Sequence, residues 1–534
     1  LRSFKKKKAH DVVAVDTATA PISYSAVLFQ SLLVLSTFCL KMPPTYLSPP
    51  EMVVKNRYLG FLIWQFIIST AIFIFFKILT STSGILTTLF TLITFQLSQL
   101  LFSVSLSIVS SPQPNRHKQS LSLVLFVAAT AVSGFVAILS LCWPNGTLLG
   151  FRGFANGLFY ALFFVFKQRW LLHFPIIQRP PFFSFKMGLP SAIARALKLS
   201  FAAFVFSALV AVIILNQSNS QETLGKFIIW QIIFYVGSFV VFLCWELSHH
   251  LYQVLNTKRF IFAPLKGSAA AETNPSEPLL AALEESTPRS LMQYLAYLDL
   301  CMVCENNVDT WRRAAFFEET GETYKRVIYV CLKPLEQLAS KFSEGLEGCL
   351  VDKAFQVSNQ PSTVSEMGPK FPELLNNYQL YAWCARSVAS LTAKSHSEDR
   401  FGVAQLSGSN AAVISTLASC LFVVEAYMMK KTNLQPSHHL MGPAGIKWAT
   451  MSTGRKDVAV SNKRGGPSHV RAYAMADVLR TSIYRIVSTF NNEMVTSAKA
   501  GHLEKDWVIS GKPVFGTREM LLQKLRLFLD FQAT

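Results

Sequence analysis

The sequence has few charged residues, and several motifs of common enzyme classes are missing from it. Charged side chains make up 15% of the 534 residues, whereas a soluble domain usually carries about 25%. No phosphate-binding P-loop, GxGxxG dinucleotide pattern or nucleophile elbow occurs. Strand-like alternation is almost absent as well. The sequence therefore predicts an all-α protein, for which we expect no cofactor.

Cysteine is present but shows no ligand or disulfide pattern. The nine cysteines are scattered along the chain, and Cys301 and Cys304 form a lone CxxC pair inside an apolar helical pattern. No second pair and no histidine stand at zinc-ligand spacing. We therefore interpret the cysteines as core residues, with no metal site and no disulfide framework.

Apolar residues are abundant and concentrate in the first half of the chain. A helix that crosses a bilayer needs about 20 consecutive apolar residues. Six stretches fit this length: 58–79, 84–110, 120–143, 150–166, 197–215 and 225–247. The pattern predicts a polytopic six-helix transmembrane domain over 58–247, a juxtamembrane segment and linker over 248–290, and an α-helical soluble C-terminal domain over 291–534.

The loops between the predicted spans alternate in charge, which predicts their orientation. Loops 80–83, 144–149 and 216–224 contain no lysine or arginine, whereas the loops on the other side are basic. By the positive-inside rule, the basic loops and both ends of the six-span core face the cytosol or the pore. Two glycosylation sequons begin at Asn145 and Asn216, both in loops that this rule places in the lumen.

Residues 1–57 form an N-terminal segment with its own apolar stretch at 23–40, behind Lys5–Lys8. A span here would place Lys5–Lys8 in the lumen, and a cleaved signal would invert the charge pattern of the later loops. We therefore expect Met42 to be the natural start and residues 1–41 not to be native.

The second half has helical periodicity with irregular interruptions. Residues 345–375 read as a loop, and Ser395 and Glu398 have the spacing of a capping box before a short helix that stops near Gly408. The stretch 411–429 is apolar almost all round. Its serines and Glu425 favour a buried core helix over a seventh span.

Residues 430–471 are irregular and basic, and they predict a disordered loop. The alternative is a surface for anionic lipid or an acidic partner. Its basic residues are Lys430, Lys431, Lys447, Arg455, Lys456, Lys463 and Arg464. The net charge of +19 comes with no nucleic-acid-binding fold signature, so we expect no direct nucleic-acid partner.

Several short runs occur in an order that resembles a known family. The runs are Phe174-Pro175-Ile176-Ile177-Gln178, Tyr294-Leu295-Ala296 with Asp299-Leu300, Ser397-Glu398-Asp399-Arg400-Phe401-Gly402-Val403-Ala404-Gln405, Ile483-Tyr484-Arg485-Ile486 with Phe490, and the tail Leu525, Phe528, Leu529 and Phe531. Together with the six spans, they resemble the transmembrane-ring nucleoporins of the nuclear-division-cycle (NDC) family over about residues 55–534.

This resemblance implies a structural role and no catalysis. Proteins of this family anchor the nuclear pore scaffold in the nuclear envelope, assist pore insertion and assembly, and thereby serve protein and mRNA transport. The implied partners are nuclear membrane lipids, an inner-ring nucleoporin that binds membrane, and a WD-repeat nucleoporin. Among the motif residues, we expect an ion pair between Asp399 and Arg400, and core positions for Phe401, Tyr484 and Phe490.

Two other classes stay open as alternatives. The first is an endoplasmic-reticulum transporter or channel, against which the nearly uncharged span centres argue. The second is a membrane-embedded lipid-modifying enzyme, for which His249 and His250, near Glu246 at the end of the last span, are the best candidate site. We interpret these histidines as an interfacial cluster.

Overall fold

The computed structural model describes residues 50–80, 84–113, 116–142, 146–214, 224–264, 267–355, 374–432 and 467–533. Within these ranges the chain is helical and has no strand, which confirms the all-α prediction. An isolated bridge joins Ser111 to Leu171. Residues 1–41, both sequon asparagines and the basic residues from Lys447 to Arg464 lie outside the described ranges.

Six long apolar helices form the membrane half. They are α1 (Pro50–Thr80), α2 (Ile85–Val109), α3 (Arg116–Leu141), α4 (Gly146–Phe166), α5 (Pro181–Ile214) and α6 (Leu224–Asn256). Each is long and apolar enough to cross a membrane. The helix α5 begins well before the predicted start at 197, and α6 continues nine residues past 247 into the segment predicted to be juxtamembrane.

Close glycine contacts pack α3 against α4. A Cβ atom added to Gly134 would lie 2.5 Å from the Gly153 carbonyl oxygen, and one added to Gly157 would lie 2.4 Å from the Thr130 oxygen. Small residues of this kind let helix backbones approach closely. Such packing is important in a bilayer, where no hydrophobic driving force brings two helices together. The hydroxyl of Ser133 adds a hydrogen bond of 2.8 Å to the Ser98 carbonyl of α2.

The first and last helices of the membrane half are joined at one end. The Arg57 guanidinium in α1 donates hydrogen bonds to the carbonyl oxygens of Leu255, Asn256 and Lys258, at 3.2, 2.9 and 2.8 Å. Leu255 and Asn256 are the last two residues of α6, where carbonyl groups have no partner within the helix, and Lys258 follows two residues later. The contact therefore closes the bundle between α1 and α6.

The water-facing half consists of shorter helices around a shared core. They are α7 (Ala269–Thr273), α8 (Glu277–Glu285), α9 (Leu291–Glu305), α10 (Thr310–Ala314), α11 (Glu322–Phe355), α12 (Tyr378–Glu398), α13 (Val403–Leu406), α14 (Ser409–Thr432), α15 (Pro467–Thr489), α16 (Asn491–Lys499), α17 (Leu503–Trp507) and α18 (Arg518–Ala533). Two 3₁₀ turns, Ala315–Phe317 and Leu375–Asn377, lie between them.

The structure corrects three of the predicted irregular segments. The predicted linker contains α8, whose Leu279, Leu280 and Leu283 are buried in the core. The predicted loop at 345–375 is helical as far as Phe355. The predicted basic loop is helical at both ends, because α14 includes Lys430 and Lys431 and α15 begins at Pro467.

The helix α14 is apolar enough to be a seventh span by length and composition. However, 72% of its apolar stretch is buried inside the protein, compared with 28–50% of the apolar stretches of the six helices in the membrane half. Its Ser419 hydroxyl donates to the Phe515 carbonyl at 3.2 Å, and its Glu425 pairs with Arg480 and Lys524. These contacts favour a core helix of the water-facing half, and the count of six spans stays a prediction.

Candidate functional site at the junction of the two halves

The connection between α4 and α5 lies against both the membrane helices and the water-facing helices. Two backbone hydrogen bonds hold it to Ser111, which follows α2: Ser111 donates to the Trp170 carbonyl at 3.2 Å, and Leu172 donates to Ser111 at 3.0 Å. The Gln253 amide of α6 donates to the Leu171 carbonyl at 3.1 Å. The connection is therefore fixed on the bundle before it reaches the other half.

Phe174, in this connection, inserts its ring between two helices of the water-facing half. The ring stacks on Tyr294 of α9 with centroids 5.7 Å apart and meets Trp383 of α12 edge-on at 5.3 Å. Gln379 donates to the Phe174 carbonyl at 3.0 Å. A buried phenylalanine contributes about 1.5–3 kcal/mol by leaving water, so Phe174 is an apolar anchor between the halves.

Asp299 forms the polar centre of the junction, and its side chain is fully buried. Its carboxylate accepts from Arg259 Nε and Arg312 Nη2, both at 2.7 Å, and from the Phe262 amide at 3.0 Å. Arg259 also pairs with Asp309 at 2.6 Å. A buried carboxylate is tolerated only when it is paired and hydrogen-bonded, so the segment after α6 is fastened to α9 and α10.

The electrostatics of the junction favour the ionised form of Arg259. Burial alone would lower the pKa of Arg259, but the nearby carboxylates of Asp299 and Asp309 outweigh it and raise the pKa overall. The backbone amide of Arg259 also donates to the Gln178 side chain at 3.2 Å. Gln178 thereby links the connection before α5 to the segment after α6.

The third motif has a different local structure from the predicted one. Ser395 and Glu398 lie in the last turn of α12, so the predicted capping box is wrong. Ser395 donates back to the Thr392 carbonyl at 2.7 Å, and Glu398 pairs with Arg313 at 2.7 Å. The short helix follows Gly402, and the Asp399 carboxylate accepts from the Ala404 amide in its first turn at 2.8 Å.

Asp399 accepts backbone amides, and the structure gives no ion pair between it and Arg400. Gly402 has φ +68°, a left-handed conformation that favours glycine, and Gly408, with φ +66°, follows the short helix as predicted. Phe401 is 53% exposed, so its predicted core position is wrong. Phe401 lies on the surface beside the turn at Gly402.

The fourth motif lies on α15. Phe490 is buried and packs on Trp507, with ring centroids 5.2 Å apart, whereas Tyr484 is half-buried beside Phe531. Arg485 lies 3.8 Å from Glu305 of α9. These contacts hold the water-facing half together and do not reach the membrane helices.

The structure thus brings Phe174, Gln178, Tyr294 and Asp299 together at the junction, and buries Leu295 beside them. Glu398, Asp399, Gly402, Tyr484, Arg485 and Phe490 make their contacts within the water-facing half. Arg400 and Phe401 lie on its surface, and Pro175 is exposed at the bundle edge. Sequence reasoning missed the partners of Asp299. An aspartate on the apolar stripe of α9 was the available signal, because a buried carboxylate requires a cation.

A second buried acid, Glu246, occupies the same end of the bundle. Its carboxylate accepts from Arg169 Nη2 at 2.8 Å, Arg195 Nε at 3.0 Å and the Tyr160 hydroxyl at 3.1 Å. His249 contacts the same arginine, with Nδ1 3.1 Å from its Nη2 atom and Nε2 3.0 Å from its carbonyl. This cluster joins α4, α5 and α6.

His250 is engaged elsewhere, by Phe185 of α5. Its Nε2 lies 3.2 Å from the Phe185 carbonyl and its ring stacks on the Phe185 ring at 5.5 Å. The two histidines therefore point to different partners. Among the described residues, no group of three or more His, Cys, Asp or Glu side chains could hold a metal ion.

The chain combines an apolar helical bundle with a helical water-facing domain, and buried ion pairs join the two. This architecture is that of a polytopic helical membrane protein. The family model of the nucleoporin protein Ndc1-Nup matches residues 147–370 and 365–494, well over half of the chain. The chain belongs to this family and is a membrane nucleoporin of the nuclear pore. The first four motifs lie inside the matched residues. No curated protein matches the chain.

Proposed function

We propose that this nucleoporin holds the pore scaffold to the nuclear envelope and assists pore insertion and assembly, without catalysis. In this proposal α1–α6 cross the bilayer as six spans, and both ends of the bundle face the cytosol or the pore. The water-facing half docks a membrane-binding inner-ring nucleoporin and a WD-repeat nucleoporin. The motif residues outside the junction shape this docking domain.

The observation that carries the proposal is the buried junction around Asp299. An anchor has to transmit force between the bilayer and the scaffold, so its two halves cannot be joined by a loose tether. Breaking a buried ion pair leaves an uncompensated charge and costs about 3–5 kcal/mol. The Asp299 contacts to Arg259 and Arg312, together with the insertion of Phe174, supply a rigid connection of this kind.

The cluster around Glu246 supports an anchor over the transporter and enzyme alternatives. Intramembrane carboxylates in transporters serve as ion or proton sites, whereas Glu246 is fully buried and held by two arginines. His249 packs against the same cluster, with both ring nitrogens occupied. The arrangement leaves these groups no open position for a substrate.

Imaging of the full chain with a C-terminal tag, beside a pore marker, tests the proposal. We expect punctate signal at the nuclear rim that coincides with the marker, and recovery of scaffold nucleoporins by proximity labelling from the tag. Reticular signal without rim enrichment would contradict it and favour the transporter or enzyme classes. Glycosidase treatment of the wild type, compared with Asn145→Gln and Asn216→Gln, tests whether these loops are lumenal. A sequon introduced beside Lys258 is expected to stay unmodified, because that segment faces the cytosol or the pore in this proposal.

A further inference from the structure

A groove of ≈ 450 Å³ opens at the edge of the bundle, between the connection before α5, the first turns of α5 and the last turns of α6. Its walls are largely apolar and include Pro175, Ile177, Pro181, Met187 and Val254. Two basic residues also line it: Arg179 in the connection and Lys258 just after the end of α6.

The length of α6 places this groove at the level of the lipid head groups. Its 33 residues span about 50 Å at 1.5 Å per residue, whereas the hydrocarbon core is about 30 Å thick. The last turns, which line the groove, therefore project beyond the hydrocarbon. At this level Ile177 is 65% exposed and Met187 is 62% exposed. Apolar side chains beside basic ones are typical of a segment that lies in the membrane interface.

The charges around the groove are of one sign. None of the described residues that line it is acidic. The Arg179 guanidinium contacts the sulfur of Met187, and Lys258 lies next to Arg57, which donates to its carbonyl at 2.8 Å. Burial, and then the proximity of Arg57, lower the pKa of Lys258. Both cations lack a carboxylate partner within the groove, so an anionic group is the complement that fits between them.

We propose that this groove binds one anionic phospholipid, with its phosphate between Arg179 and Lys258 and an acyl chain along Ile177 and Met187. The lipid would occupy the cytosolic or pore-side leaflet, where anionic head groups attract basic side chains with about 1 kcal/mol per residue. The site lies beside the junction and goes beyond the anchoring role. It rests on the orientation proposed above but not on scaffold binding.

Binding of fluorescent lipids to the purified full chain in neutral detergent tests the site. The wild type is compared with Arg179→Gln/Lys258→Gln, and Lys341→Gln/Lys512→Gln serves as a control that removes two exposed lysines from the water-facing half. We expect saturable binding of phosphatidylserine, a Kd raised about 10- to 30-fold in the groove variant, an unchanged Kd in the control, and much weaker binding of phosphatidylcholine.

A second variant separates the acyl contact from the charges. Ile177→Asn keeps both cations, and we expect it to weaken binding of the two-chain lipid while 10 mM inorganic phosphate competes poorly with wild-type binding. Equal binding by the groove variant and wild type, equal binding of both lipids, or full displacement by phosphate would overturn the proposal. So would tight binding of an acidic amphipathic peptide at the groove without lipid binding. None of these results depends on where the chain localises in cells.

Discussion

Two buried carboxylates, each held by two arginines, serve different purposes in this protein. Glu246 forms ion pairs with Arg169 and Arg195, and all three residues belong to the membrane half. Asp299 forms ion pairs with Arg259, in the segment after α6, and with Arg312 of α10. The same charge arrangement therefore closes the bundle in one place and joins the two halves in the other.

The largest expected effect is at the junction. Asp299→Ala leaves Arg312 buried without a carboxylate and Arg259 with Asp309 alone, so we expect a loss of about 3–5 kcal/mol in the free energy of unfolding. Denaturant unfolding of the full chain in detergent measures it. Asp477→Ala is the matched control, because Asp477 is exposed and pairs only with its neighbour Arg480; we expect less than about 0.5 kcal/mol there. Similar losses in both variants would refute the role of Asp299.

The cluster in the bundle is expected to be somewhat less sensitive. Glu246→Gln keeps the shape but removes the charge, and we expect a loss of roughly 2–4 kcal/mol, since Arg195 is 43% exposed and can turn to water. Hydrogen exchange separates the two carboxylates: amides of α9 and α12 should lose protection in Asp299→Ala but keep it in Glu246→Gln. Loss of protection there in both variants would erase the distinction between the two sites.

Close packing between α3 and α4 gives the next effect. Gly157→Ala places a Cβ atom 2.4 Å from the Thr130 carbonyl oxygen, so the two helices must separate, at a cost of about 1–3 kcal/mol. Gly60→Ala in α1 is the control, because nothing lies within 4 Å of its added Cβ. Thermal unfolding in detergent compares the two. A Gly157→Ala protein as stable as Gly60→Ala would count against the glycine contact.

The smallest effect is expected on the surface of the water-facing half, where Arg326 bridges Glu277 and Glu284. The hydrogen bond from Arg326 lowers the pKa of Glu284. The ionised Glu284 therefore contributes its full stabilisation above the unfolded-state pKa of about 4.3. This stabilisation is lost as the pH falls through the lower pKa of the folded state. Glu284→Gln should lose about 0.2–1 kcal/mol at pH 7.

Unfolding measured across pH 3–7 tests this prediction. The difference in unfolding free energy between wild type and Glu284→Gln should shrink as the pH falls from 5 to 3. A difference that stays constant across this range would show that the carboxylate charge does not contribute.

The sequence was sufficient to predict the helical class and the division into an apolar and a water-facing half, because hydropathy and periodicity are local properties. Helix ends were less predictable. Pro190 and Lys186 interrupt the apolar run ahead of 197, yet α5 continues through both residues to Pro181. The serine, proline and glycine content of 345–375 predicts a loop, although α11 continues to Phe355.

The junction was predictable only in part. Phe174, Tyr294 and Asp299 are motif residues, but which residues they contact depends on tertiary packing: Phe174 meets Tyr294 more than a hundred residues later in the chain, and Asp299 pairs with Arg259 40 residues before it. The spacing of Ser395 and Glu398 fits a helix start, yet the same spacing occurs within a helix. In the folded protein Glu398 pairs with Arg313 from another segment, and the sequence spacing alone does not indicate this pairing.

The contact of Arg57 with the end of α6 has a consequence for the order of events during synthesis. Its acceptors at Leu255 and Asn256 are made 198 and 199 residues later in the chain. Until then the guanidinium depends on water, which keeps the start of α1 at the membrane surface. The contact that joins α1 to α6 can therefore form only after the last helix of the bundle has been made.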